Sequence, residues 1–371
     1  MLVSNSTAGT ISGVCLEEDG ALTLLSVNSF DGKTGPFVIH GEIVYVSVGG
    51  DAPALVTCEL VGTDLFELSR LRIPAPLTYL IITPDETALL GVSYAQGAGW
   101  IWPLEDGRPS PATDEIRHEN LHCVVMDDEA HFVSLGEDLI AHYRLESGKL
   151  IPAENPVTQL TEGVGARHLI LAGENAYLVT EYTGELVRFS REDGRFVLEE
   201  STSIVDPSAG LSVSRFGADP KAEPLIWGSD LHLSADGKWL LASERSGSTV
   251  ASVRLNEDGK FASAAVFSPV DRQPRGFWVN DDGAVLVAGE ASGELSSYAV
   301  LDDGRLHHFS TVKTAPGPNW VRTSKILDYQ VSLRIAADAD VARVGRLDTP
   351  DEHGLPGAHL APIAVLRPPA F

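Results

Sequence analysis

The chain has 371 residues, with 27 Lys and Arg against 52 Asp and Glu, a formal charge of −25. So acidic a surface excludes polyanions such as nucleic acid and argues against anionic membranes, while leaving room for one small anion held by a local group of Arg. A hydrophobic content of 43% excludes wholesale disorder, and Cys15, Cys58 and Cys123 are too few and too scattered for a disulfide framework or a zinc spacing.

The first residues, MLVSNSTAGT, lack the basic-then-apolar order of a signal peptide. No apolar run approaches the roughly 18 residues a membrane helix needs. The expectation is a cytoplasmic protein.

Along the chain one unit recurs: an apolar run, a turn with Asp or Gly, a second apolar run, an alternating run, then an acidic turn. Strands over Thr10–Leu25 come first, followed by a degenerate copy from about Phe37 to Phe66. Further copies begin at Pro76, Asn120 and Gly165. The clearest begin at Ser229 (SDLHLSADGKWLLASERSGSTVASVRLNEDGKFASA) and Gln273 (QPRGFWVNDDGAVLVAGEASGELSSYAVLDDGRLHHF). The slot of the acidic turn falls at Gly20, Asp64, Gly107, Gly148, Gly194, Gly259 and Gly304, in steps of 41 to 46 residues apart from one of 65. That long step holds an insertion near 201–227, rich in Ser, Pro and Asp.

Val, Ile, Leu and aromatic residues alternate with small or polar ones, the turns read DG, SG and PD, and no long helical period interrupts them. Four short strands per unit, seven times over, predict an all-β, seven-bladed propeller of four-stranded antiparallel blades. The last blade is split, with its inner strand after Gly317 and its outer strands from Thr10–Leu25, so both termini close it and no edge is left open. The whole chain, 1–371, is thus expected to be one domain with a C-terminal extension over 323–371.

In such a blade the start of the innermost strand and the end of the next share a rim. Strand starts carry Tyr79, His122, Arg167–His168, Asp230–His232 and Arg275; strand ends carry Ser93–Tyr94, Ser134, Glu181, Glu244–Arg245 and Glu290. Arg and Glu are infrequent in short apolar strands unless they face solvent or a site. Two explanations stay open: ion pairs such as Arg167 with Glu181 and Glu244 with Arg275 line a wet channel, or the set binds a ligand. Cys123 follows His122 and, by strand alternation, points into the blade. There is no Gly-x-Ser-x-Gly elbow and no recognised metal spacing, so neither a serine hydrolase nor a metal or other cofactor is expected.

At these residues the chain resembles the seven-bladed propeller lactonases, which include a bacterial 6-phosphogluconolactonase and the fungal 3-carboxy-cis,cis-muconate cyclase. GARHLIL with the downstream Glu181, SDLHLSADGKWLLASERS, QPRGFWV with GAVLVAGEAS, and APGPNWV carry the resemblance, over roughly Ala75 to Val321. It implies a catalytic set of His122, Arg167, Glu181 and Arg245, with Arg275 a further basic residue shared with the lactonase branch. His168, His232, Glu244 and Arg275 are the substrate-binding candidates. Asn120 stands where relatives often have His, and Glu290–Ala291 where Asn-Gln is common.

The implied function is a lactone hydrolase opening a small anionic sugar-acid lactone. The alternatives are a cyclase-type isomerase closing a lactone on a carboxymuconate, or a non-catalytic scaffold. The expected partner is a small anionic lactone or carboxylate, with the chain a monomer or weak homo-oligomer.

Overall fold

A computed structural model describes residues 1–219 and 222–323. The expected C-terminal extension lies, but for Thr323, outside the described residues. Seven antiparallel sheets follow one another around a ring. Numbered in chain order, blade one spans Thr34–Arg72, blade two Tyr79–Arg117, blade three Leu121–Gln159 and blade four Ala166–Ser203. Blade five spans Gly228–Pro269 and blade six Pro274–Lys313. Blade two departs from the pattern: its outer edge is cut into Arg108–Pro109 and Asp114–Arg117, both paired to Ala98–Glu105. Pro109 and Pro111 interrupt it there, since proline has no N–H to give a ladder.

Blade seven takes its innermost strand, Pro318–Arg322, from the far end of the described chain, and three strands from the beginning. The sequence expectation began those strands at Thr10, but Leu2–Asn5 also takes part, pairing Pro318–Arg322 on one side and Thr10–Leu16 on the other. LVSN is too short to register as a strand without its partners. The closure is tied by Trp320 Nε1, which donates to the Phe37 carbonyl at 3.0 Å, and by Ser6 N–H to the Gly317 carbonyl at 2.8 Å.

The core is divided among the seams. Seven apolar clusters each join one blade to the next, among them Phe37 with Trp320 between blades seven and one, and Phe132 with Leu90 between two and three. Phe37, Phe132, Phe189 and Phe277 are fully buried. Each contributes about 1.5–3 kcal/mol by leaving water, so the ring is held by many similar seams rather than one centre. An eighth cluster is different. Leu135, Tyr182, Leu225 and Trp227 bring the insertion down onto the rim of blades three and four.

The innermost strands share a second feature. Pairing slips by one residue near their start in six of the seven blades. The extra residue is His122 in blade three, Arg167 in blade four, Arg275 in blade six and Asn319 in blade seven; in blades one and five it falls at Gly35–Pro36 and Ser229–Asp230. A bulge of this kind re-aims a side chain that strict alternation would send into the sheet.

Candidate functional site

The bulges turn His122, Arg167 and Arg275 to the channel mouth, and the ends of the neighbouring strands supply Glu181 and Arg245. His122, Arg167, Glu181 and Arg245 are all buried, at 5%, 2%, 8% and 5% exposure. Charges so enclosed need partners, and they have them. Arg167 Nε donates to Glu181 Oε2 at 2.7 Å, and Arg245 Nη2 reaches the same oxygen at 3.6 Å. Arg167 Nη1 also donates to the Ser229 carbonyl. Glu181 therefore holds two guanidinium groups side by side.

The neighbouring backbone is fixed by buried carboxylates. Asp138, from blade three, accepts from the amides of Gly163, Gly165 and Ala166 and so sets the approach to Arg167. Gly165 is required there: its φ is +71°, and a Cβ would lie 2.8 Å from the Tyr182 ring. Glu244 does the same work in blade five. Its carboxylate accepts from the amides of Trp227, Ser246 and Gly247. Burial raises its pKa and the three amides oppose the rise. Glu244 is thus engaged in the turn below Arg245, and Arg275 turns instead to Glu290, at 3.4 Å.

Behind Arg167 lies a chain of buried imidazoles. Arg167 Nη1 is 3.4 Å from His168 Nε2, and His168 Nδ1 is 2.8 Å from Asp230 Oδ1. With Asp230 accepting at Nδ1, the Nε2 lone pair faces Arg167, so His168 is neutral. Burial first, then Arg167, brings its pKa down to about 4, against the pull of Asp230. The Asp230 carboxyl lies well below the usual range: burial alone would raise it, but His232 and His168 outweigh that. His232 meets the other oxygen of Asp230, 3.4 Å from Oδ2, with its ring against Phe277 and Trp278.

His122 completes the cluster. Its ring centre is 5.0 Å from that of His168 and 5.9 Å from that of Tyr94. Burial, then the positive charge of Arg167, holds its pKa far below the usual histidine value. Its Nδ1 has no hydrogen-bond partner among the described residues. The mouth thus combines a neutral imidazole with a free nitrogen, two guanidinium groups on one carboxylate, and Arg275, whose side chain is 38% exposed, at the outer lip.

Of the residues singled out by sequence, His122, Arg167, Glu181, Arg245 and His168 come together directly. Arg275 stands at the lip, His232 behind Asp230, and Glu244 under the turn. Cys123 is fully buried in the seam of blades three and four. Sequence reasoning missed Asp138, Tyr182 and Trp227. Trp227 was readable as an aromatic just before the Ser229 strand, but it lay in a segment read only as an insertion.

A closed ring of seven antiparallel sheets defines a seven-bladed β-propeller, with arginine, glutamate and histidine side chains buried together on blades three to five. More particularly, the chain belongs to the lactonase family of seven-bladed β-propellers, whose family model matches residues 2–323. Among solved structures it is similar to a protein of Bacteroides fragilis provisionally described as a 6-phosphogluconolactonase, at 21% identity, 86% of this chain, 96% of that one and a TM-score of 0.76. The periplasmic gluconolactonase of Pseudomonas aeruginosa is comparably similar, at 21% identity, 86% and 97% coverage and a TM-score of 0.74. At such identities these likenesses show the fold alone. One neighbour is periplasmic, so the fold carries no compartment. Among the described residues no helix is long and apolar enough to cross a membrane.

Proposed function

We propose that the chain is a lactone hydrolase acting on a small anionic sugar-acid lactone. The observation that carries this is Glu181 shared by Arg167 and Arg245 beside a neutral His122. Ring opening needs a base for water and donors for the oxyanion that forms on the carbonyl oxygen. His122 takes a proton from water as it attacks the lactone carbonyl. Arg167 and Arg245 hold the oxyanion, and Glu181 keeps both oriented. The C–O bond to the ring oxygen then breaks, His122 returns the proton to that oxygen, and a hydroxy acid leaves. Glu181 Oε2 already pairs with Arg167 and Arg245, which favours His122 over Glu181 as the base.

Arg275 favours an anionic substituent at the lip, and the acidic outer surface discourages larger polyanions. The test is a panel of sugar lactones, phosphorylated and not, beside carboxymuconates. Opening of a sugar lactone that is lost in Arg167→Ala and in Glu181→Gln supports the reading. Turnover of a carboxymuconate alone would transfer the same residues to the cyclase reaction.

A further inference from the structure

The mechanism needs His122 neutral and correctly turned, yet its Nδ1 has no hydrogen-bond partner among the described residues. Two rings flank the imidazole instead, His168 with centres 5.0 Å apart and Tyr94 with centres 5.9 Å apart and planes at 75°. His168 is itself buried, at 4% exposure, whereas Tyr94 is partly exposed. Tyr94, at the end of a blade-two strand, therefore stands on the side of His122 that water would reach.

Tyr94 is held along its whole length. Its amide donates to Thr78 Oγ1 at 2.9 Å, and its carbonyl accepts from Nδ2 of Asn120, two residues before His122, at 3.3 Å. Its hydroxyl shares a hydrogen bond with that of Tyr182. Its ring packs on the cluster of Leu135, Tyr182, Leu225 and Trp227, where the insertion comes down on the rim. Within that cluster Trp227 meets Tyr182 edge-on at 5.9 Å, and the Ser214 amide donates to the Tyr182 carbonyl at 3.0 Å. A line of contacts thus runs from the insertion through Tyr182 and Tyr94 to His122.

The charged and titratable groups around His122 belong to other blades. Arg167 and His168 come from blade four, Arg245 from blade five and Arg275 from blade six, and Glu181 is taken up by Arg167 and Arg245. None of them is altered by a change at Tyr94. Burial acts on His122 ahead of all of them. A buried imidazole resists a proton because no water solvates the cation.

We infer that Tyr94 is a positioning residue, whose ring shields the solvent side of His122 and is itself held by the insertion through Tyr182. The catalytic use of His122 rests on the lactonase reading; the shield does not. The insertion then acts on the base without touching it.

Histidine NMR titration of the full chain reads the shield without any substrate, with the His122 signal assigned by its loss in His122→Gln. In the unaltered protein and in Tyr94→Phe, which keeps the ring, His122 should stay unprotonated to the acid end of the folded range. Tyr94→Ala should bring its titration up toward the ordinary histidine value, and Tyr182→Phe, which breaks the hydroxyl pair, should bring a smaller rise. In parallel, kcat/KM for a lactone that the protein opens should fall about 10-fold in Tyr94→Ala, part of the roughly 10²–10⁴-fold a positioned base supplies. The acid limb of its pH profile should move up with the NMR titration, and Tyr94→Phe should restore both. An ordinary His122 titration in the unaltered protein, no rise in Tyr94→Ala, or an equal rise in Tyr94→Phe overturns the shield. A Tyr182→Phe protein that titrates like the unaltered one overturns the part given to the insertion. A rise in Tyr94→Ala in a protein that opens no lactone leaves the shield standing and removes the hydrolase reading.

Discussion

Blades three to five and blades seven, one and two share a backbone and differ in what they hang on it. In both groups the innermost strand gains an extra residue near its start, blade two excepted. In the first group that place holds His122, Arg167 and Ser229–Asp230; in the second, Asn319 and Gly35–Pro36. The second group instead carries the closure, with Trp320 on Phe37 and Leu2–Asn5 between two strands far apart in sequence. The repeat therefore supplies a set of equivalent positions, and the proposed chemistry draws on only one arc of them.

Changes on the two arcs should separate cleanly. The largest effect on stability belongs to the closing arc: Phe37→Ala empties a fully buried site and is expected to cost about 3–5 kcal/mol in urea unfolding, with KM unchanged at temperatures where the fold persists. On the chemical arc, Arg167→Ala should lower kcat/KM for the responsive lactone by about 10²–10³-fold, the scale of one lost oxyanion donor. A comparable loss of activity from Phe37→Ala at full folding would erase the distinction.

Acid should act on the chemical arc next. The unfolded chain takes up a proton at His168 as pH falls below about 6.5, while the folded chain refuses it until about 4. The contribution is present above pH 6.5 and is lost between the two values, on the order of 3 kcal/mol. His168→Gln should flatten that part of the stability–pH curve, and an unchanged curve would show that His168 is not the group responsible. Smallest is Arg275→Ala. Its pair with Glu290 is partly exposed and long, so stability should move by less than about 1 kcal/mol, with KM rising a few fold.

Much of the ring was legible because spacing is a property of sequence: the acidic turns count the blades without reference to any contact. The charged residues of the mouth were legible because Arg167, Glu181 and Arg245 stand out in apolar runs. The bulges were not, since an inserted residue breaks the alternation by which strands are read, and nothing in GARHLIL marks which residue is extra. Glu244 shows the other limit. Its residue type matches that of Glu181, but it stands one register position earlier, level with Thr180, and three backbone amides that come near it only after folding decide what it does. Trp227 was hidden for the same reason, because the insertion meets blade four, at Tyr182 and Gly184, only once the chain has folded.

The closed seam between Leu2–Asn5 and Pro318–Arg322 also sets an order of events. During synthesis Leu2–Asn5 can pair with Thr10–Leu16 at once, but its inner edge has no partner until residues 318–322 have been made. Bringing ends more than 300 residues apart together is the slow, non-local kind of pairing. Through most of its manufacture the nascent chain is an open crescent with an unpaired strand edge at its head. That interval, rather than the finished ring, is when it is most exposed to mispairing with a neighbour.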